Sequence, residues 1–165
     1  MPTKQFDLVA TGGTFDEIHA GHRELLTRAF SLGRLVLVGV SSDNFAASKK
    51  GQNKLRHKFE SRVDRLVKFI HDEFGDVNFE IKELNDDFGP TSTDKNIQAL
   101  IVSEETEPKG HEINRIRSRK GFDPLAIITV TMLKAEDGLP LSSSRIRYGE
   151  IDRYGRVLKR QSGSQ

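Results

Sequence analysis

Two histidines, His19 and His22, stand three residues apart in His19-Ala20-Gly21-His22, directly behind the run Thr11-Gly12-Gly13-Thr14-Phe15-Asp16. Glycines let the main chain approach a bound anion closely. The start of a helix adds N–H groups and a partial positive charge, so phosphate is the natural ligand of such a segment. The spacing is neither a P-loop nor a dinucleotide fingerprint, and a glycine turn between strand and helix can equally be structural. His22 precedes Leu26 by four residues and Ala29 by seven. It therefore continues an apolar helical stripe, as a satisfied core histidine would. His19 falls at or before the first helical turn, where a side chain reaches the mouth of a crevice. With Asp16 the two rings make a poor zinc site for want of a third strong ligand, so no protein metal ligand is assigned.

Further chemistry-bearing residues follow at intervals. Ser48-Lys49-Lys50, with Lys54, Arg56 and Lys58 behind it, is either a solvated basic loop or a place from which one lysine reaches a phosphate. Leu84-Asn85-Asp86-Asp87-Phe88-Gly89-Pro90-Thr91 is a turn with an aromatic residue, suited to a pocket wall or to a surface loop. Val102-Ser103-Glu104-Glu105-Thr106 brings two carboxylates and two hydroxyls to a strand end, for ligand hydroxyls or for helix capping. Leu141-Ser142-Ser143-Ser144-Arg145-Ile146-Arg147 joins three hydroxyls to two forked guanidinium donors, more than a helix cap requires.

The elements that must position these residues are read from hydrophobic periodicity. Phe6 to Ala10 reads as a buried strand broken by Gly12-Gly13, and Gly21 to Leu32 as a helix. Leu35 to Val40 is a nearly continuous apolar strand, typical of a parallel sheet covered on both faces. Phe59, Val63, Leu66, Val67, Ile70 and Phe74 make an amphipathic helix ending near Gly75. Shorter strands are expected at Val77–Ile81, Ala99–Val102 and Leu125–Val130, with a weaker helix from about Lys109 to Arg119. Alternation of this kind predicts an α/β fold: a single doubly wound parallel sheet of about five strands with helices on both faces. Ligands of such sheets bind beyond the carboxyl ends of the strands, which is where every chemical segment above falls.

With 165 residues the chain fits one domain, expected over residues 1–158, and the polar end 159–165 reads as a disordered tail. A net charge of +2, with basic and acidic residues interleaved, gives no reason to expect nucleic-acid binding. The absence of cysteine excludes disulfides and thiolate catalysis. No apolar run reaches the roughly 20 residues that span a bilayer, and Met1-Pro2-Thr3-Lys4-Gln5 has no signal-peptide core, so a cytoplasmic protein without membrane contact is expected.

At the residues quoted, the chain resembles the nucleotidyltransferases marked by a histidine-x-glycine-histidine signature and a second, serine-rich one. Within them it is similar to the phosphopantetheine adenylyltransferases of the archaeal and eukaryotic type. The resemblance spans about residues 6 to 155 and includes Asp87-Phe88-Gly89-Pro90, Val102 to Thr106, Ile113-Asn114-Arg115 and Ala135-Glu136-Asp137-Gly138. Asp87 replaces a frequent proline, and Ser144 a frequent threonine.

The resemblance implies a Rossmann-like nucleotidyltransferase fold and transfer of the adenylyl group of ATP to 4'-phosphopantetheine, giving dephospho-coenzyme A and pyrophosphate, with Mg2+ accompanying ATP. It implies catalytic roles for Thr14, His19, His22 and Lys49 or Lys50. ATP would be held by Gly12, Gly13, Thr14, Phe15, His22 and Ser103, and its β- and γ-phosphates by Ser142, Ser143, Ser144 and Arg147. Thr14, Lys49, Asp86, Phe88 and Arg115 would meet phosphopantetheine. The same signatures serve sister enzymes acting on nicotinamide mononucleotide, flavin mononucleotide or glycerol phosphate, and a nucleotide sensor without transfer is a further alternative.

Overall fold

The computed structural model describes residues 4–50, 55–131, 146 and 151–158, with the side chains of Lys49 and Lys50 outside that description. Five parallel strands, β1 (Phe6–Gly13), β2 (Gly33–Ser41), β3 (Phe79–Leu84), β4 (Ala99–Ser103) and β5 (Ala126–Val130), form one sheet in the order β3-β2-β1-β4-β5. The helices are α1 (Ala20–Leu32), α2 (Asp43–Lys50), α3 (Phe59–Phe74) and α4 (Glu107–Arg119), and Gly89–Ser92 makes one 3-10 turn. This is the doubly wound α/β sheet expected from the alternation of patterns. Among the described residues no helix is long and apolar enough to cross a membrane.

The sheet is buried on two sides because its strands are apolar on both. Val9, Val36, Val38 and Val40 pack against Leu26, Ala29 and Phe30 of α1 and against Leu66 and Ile70 of α3. Ala10, Leu37, Leu100 and Val102 face the other way, toward Ile113 of α4. The strong inward stripe of α3 carries most of one face, at about 25 cal/mol for each Å² of apolar surface removed from water.

Three local expectations are corrected. Gly12 and Gly13 do not break β1: the ladder to β2 continues through Gly12↔Gly39 and Gly13↔Val40. A Cβ on Gly12 or on Gly39 would meet the Leu84 side chain (3.3 and 2.8 Å), so the paired glycines leave room for it over the sheet. The basic stretch that begins at Ser48-Lys49-Lys50 does not begin as a loop: these three residues end a helix, α2, which has Asp43 in its first turn. The third strand starts and ends later than Val77–Ile81, since Val36 takes its amide partner from the Asn78 carbonyl and the ladder then runs from Phe79 to Leu84. The expected tail, 159–165, lies outside the described residues.

The inward stripe of α4 ends in an arginine. Arg117, 1% exposed, donates from Nε to the Asp123 carbonyl (2.8 Å), from Nη1 to Thr91 and Asp94 (2.9 and 3.0 Å), and from Nη2 to Lys95 and Ile97 (3.3 and 3.1 Å). Burial lowers its pKa, against the opposing pull of Asp94 and Asp123. One guanidinium thereby fastens the segment between the 3-10 turn and β4 onto α4. Arg117→Ala is expected to reduce stability by about 3 kcal/mol, because buried carbonyls that lose their donors cost roughly 1–3 kcal/mol each and the loop recovers only part by rehydration. Urea unfolding measures it, and a shift below about 1 kcal/mol would show that the loop does not depend on this residue.

Candidate active site

Strand order reverses between β1 and β4, and there the sheet opens. Their ladder holds only at Val9↔Ala99 and Ala10↔Leu100. At the next step the Thr11 hydroxyl, 3% exposed, donates to the Ile101 carbonyl (3.1 Å), so no buried acceptor is orphaned where the strands part. A cavity of about 610 Å³ fills the gap, bordered by Gly12, Gly13, Thr14, His19, His22 and Ser103 at one end. Such a crevice at the carboxyl ends of the strands is where doubly wound sheets bind ligands.

The histidines are held by each other's backbone. His19 caps α1: its Nδ1 accepts from the Gly21 N–H (3.0 Å), while the His19 N–H donates to Nδ1 of His22 (3.2 Å). The rings stack with centroids 3.9 Å apart. Both Nδ1 atoms are acceptors, so in the neutral rings the proton sits on Nε2, the nitrogen not used by the cap. Gly21 is required by this fold-back, since a Cβ there would lie 2.8 Å from Cε1 of His19. His22 is thus not the core histidine that its place in the stripe allowed.

Free helix N–H groups were expected to meet the anion, and here the structure differs. Ala20 N–H already donates to the Arg153 carbonyl (3.0 Å) and Gly21 N–H to His19. The end of α1 therefore brings its dipole and two stacked imidazole rings to the cavity, with those two main-chain donors already engaged.

Phe15 does not line the cavity. It is 1% exposed, stands under His22 with ring centroids 4.8 Å apart, and has a φ of 55°, the one positive value of a non-glycine among the described residues. Core packing holds this left-handed turn, which costs on the order of 1 kcal/mol and aims the chain from β1 toward α1. Arg115 is exposed on α4 and does not line the cavity either. Asp86 borders it, yet its Oδ1 is taken by the N–H groups of Phe88 and Gly89 (2.9 and 2.7 Å), so it shapes the turn. Ser103 borders it too, in a reciprocal pair with Thr106 (hydroxyls 3.1 Å apart) that builds the end of β4. Lys49 and Lys50 close α2, which follows β2. Ser142, Ser143, Ser144 and Arg147 lie outside the described residues, as does Ala135 to Gly138.

Beyond the histidines the cavity becomes an apolar groove on the α4 face of the sheet. Its floor is Ala10, Leu37 and Leu100, and its walls are Leu84, Phe88 and Pro90 on one side and Ile113 on the other. Lys109 of α4 and Asp87 join across the walls at 2.6 Å. Sequence reading found Phe88 but missed Lys109, because only the packing of α4 beside the 3-10 turn brings it near. Lys82, another lining residue, was hidden in an edge strand of mixed polarity.

Residues 10–149 match the model of the cytidylyltransferase-like family. A phosphopantetheine adenylyltransferase of Methanothermobacter thermautotrophicus is 45% identical over 98% of this chain and 95% of its own length. That of Methanopyrus kandleri is 40% identical over 92% and 94%. Among solved structures, a protein of unknown function from Archaeoglobus fulgidus superposes with a TM-score of 0.68 at 31% identity, over 74% of this chain and 87% of its own. With a glycine turn, a capped histidine pair and an apolar groove in one crevice, and relatives matched over nearly the whole chain, the chain belongs to the cytidylyltransferase-like family, among the phosphopantetheine adenylyltransferases.

Proposed function

We infer that this protein transfers the adenylyl group of ATP to 4'-phosphopantetheine in the cytoplasm. An oxygen of the acceptor phosphate attacks the α-phosphorus, the bond from that phosphorus to the bridging oxygen of the β-phosphate breaks, and pyrophosphate leaves with the bonding electrons. The observation that carries this reading is the continuity of one cavity: a donor-rich end at Thr14, His19 and His22 runs into an apolar groove. ATP needs only the first; an acceptor with a phosphate at one end and a long, weakly polar arm needs both. A volume of about 610 Å³ lies inside the range of roughly 300–1,000 Å³ of small-molecule sites.

The acceptor phosphate is largely ionised at neutral pH, its second pKa being about 6, so the reaction needs no general base. Its difficulty is repulsion between two anions. Donors aimed at the α-phosphate oxygens lower the barrier as charge builds there, and His22, with its Nε2 proton, is assigned that task. His19 serves the neighbouring phosphate, Thr14 orients the pair, and Lys49 or Lys50 bridges attacking and transferred groups. Ser142, Ser143, Ser144 and Arg147 would receive the leaving pyrophosphate. ATP enters as its Mg2+ complex, the ion riding on the triphosphate and neutralising charge on the leaving group. Among the described residues no three histidine, aspartate or glutamate side chains are grouped to hold a metal.

Pyrophosphate release is expected with ATP and 4'-phosphopantetheine, and at most weakly with CTP or with nicotinamide mononucleotide, flavin mononucleotide or glycerol phosphate. Silence with phosphopantetheine beside turnover of another acceptor would overturn the substrate assignment. Replacing His22 by alanine should lower kcat about 100- to 1,000-fold, the usual loss of one transition-state donor, with little change in ATP affinity; an equal loss of affinity at unchanged kcat would refute its role. Gly21→Ala should lower kcat about tenfold or more in a protein that still unfolds cooperatively, because the added Cβ displaces the His19 ring. Unchanged turnover there would separate the cap from catalysis.

A further inference from the structure

The buried face of α3 carries one charged residue, Arg62, at 0% exposure, between Phe59 and Leu66. A charge so placed must be fully partnered, and its partners are informative. Nη1 donates to the carbonyl of Thr14 (2.8 Å) and to that of Ser41 at the end of β2 (2.8 Å). Nε donates to the His57 carbonyl (3.0 Å), and Nη2 to the carboxylate of Asp43 in the first turn of α2 (2.9 Å). The same Asp43 oxygen accepts the N–H of Phe59, where α3 begins (2.8 Å). A second buried carboxyl repeats the linkage: Asp16, 1% exposed, accepts the N–H groups of Arg56 and His57 (3.1 and 3.0 Å).

These bonds meet at the turn that leads from β1 to the histidines. Holding the Thr14 carbonyl sets the peptide that enters the left-handed Phe15, and so the direction of the Thr14 side chain at the cavity wall. Through Asp43 the same guanidinium holds the start of the eight-residue helix that ends in Lys49 and Lys50. A planar fork with five N–H donors satisfies several acceptors at fixed angles, which a lysine ammonium does not.

We propose that Arg62 is a positioning residue for adenylyl transfer, setting the Thr14 turn and α2 relative to one another from behind the site. Arg62 touches no substrate; its effect passes through Thr14 and through the helix. The inference rests on the reaction proposed above. Displacing reacting groups by about 1 Å costs on the order of 100-fold in rate, so the expected signature is a loss in kcat that exceeds any change in KM.

The test compares wild type, Arg62→Lys and Asp43→Ala, the latter at a half-exposed carboxylate. Pyrophosphate release is measured with the acceptor that supports turnover, at a temperature where each unfolding curve shows full occupancy of the native state. Arg62→Lys should lose about 10- to 100-fold in kcat with KM values for ATP and acceptor within about threefold of wild type, and Asp43→Ala should lose kcat in the same sense by a smaller factor. A natively folded Arg62→Lys with wild-type kcat overturns the proposal and leaves the reaction standing. If Arg62→Lys does not fold, an unchanged kcat in Asp43→Ala overturns it. A wild type that releases no pyrophosphate with any acceptor overturns the reaction and this inference together.

Discussion

The separation of β1 from β4 is the constraint on which the rest of this molecule depends. Two parallel neighbours would ordinarily remain laddered to their ends, leaving the carboxyl edge of the sheet closed. Here the ladder stops after Ala10↔Leu100, and the Thr11 hydroxyl takes over the Ile101 carbonyl. One hydroxyl thus resolves the usual obstacle to opening a sheet, an unsatisfied buried acceptor. Beyond that point Gly12, Gly13, Val102 and Ser103 border a crevice, and the dipole of α1 points into it.

The polarity of the crevice follows from how α1 is started. A serine or aspartate cap would satisfy the first N–H groups and end there. A histidine cap satisfies them with Nδ1 and adds a second ring nitrogen, Nε2, on the far side of the ring. The second histidine, one helical turn on, accepts the N–H of the first residue and stacks on its ring, so that each imidazole is oriented by the other. Rings fixed in this way hold one orientation before any ligand arrives, the condition under which electrostatic stabilisation is most effective.

Where a residue's role follows from local periodicity, the sequence reveals it. The stripe of α3, the continuous apolar run of β2 and the gathering of polar segments behind the strands all follow from repeats of 3.6 or 2 and from the parallel topology they imply. The helix after β2 was missed because Phe45, Ala46 and Ala47 are too short an apolar set to show a period, and the lysines beside them read as solvent-facing. Arg62 and Arg117 had a visible sign, a charge four residues from a buried Leu66 or Ile113 on an inward stripe, but their partners are carbonyls distant in sequence, and no composition rule names those. Arg115 was set toward the ligand by resemblance alone. In the helix it is two residues from Ile113, about 200° around the axis, and so faces solvent.

The glycines of the opening run divide between two duties that one motif conceals. A Cβ on Gly12 would lie 3.1 Å from the Gly39 carbonyl oxygen and 3.3 Å from Cδ1 of Leu84, and one on Gly39 would lie 2.8 Å from that same atom. Leu84 therefore rests across both glycines, as a wall of the apolar groove, and any side chain at either position would have to lift it. For Gly13 the nearest neighbour of an added Cβ is the ring of Phe15, at 3.4 Å, an ordinary contact. Space thus favours glycine at position 12, where a Cβ would press on the Gly39 carbonyl and on the leucine that walls the apolar groove, and makes no such demand at position 13. Gly13 borders the cavity beside Thr14 and His22, where a residue without a side chain leaves the main chain open to close approach.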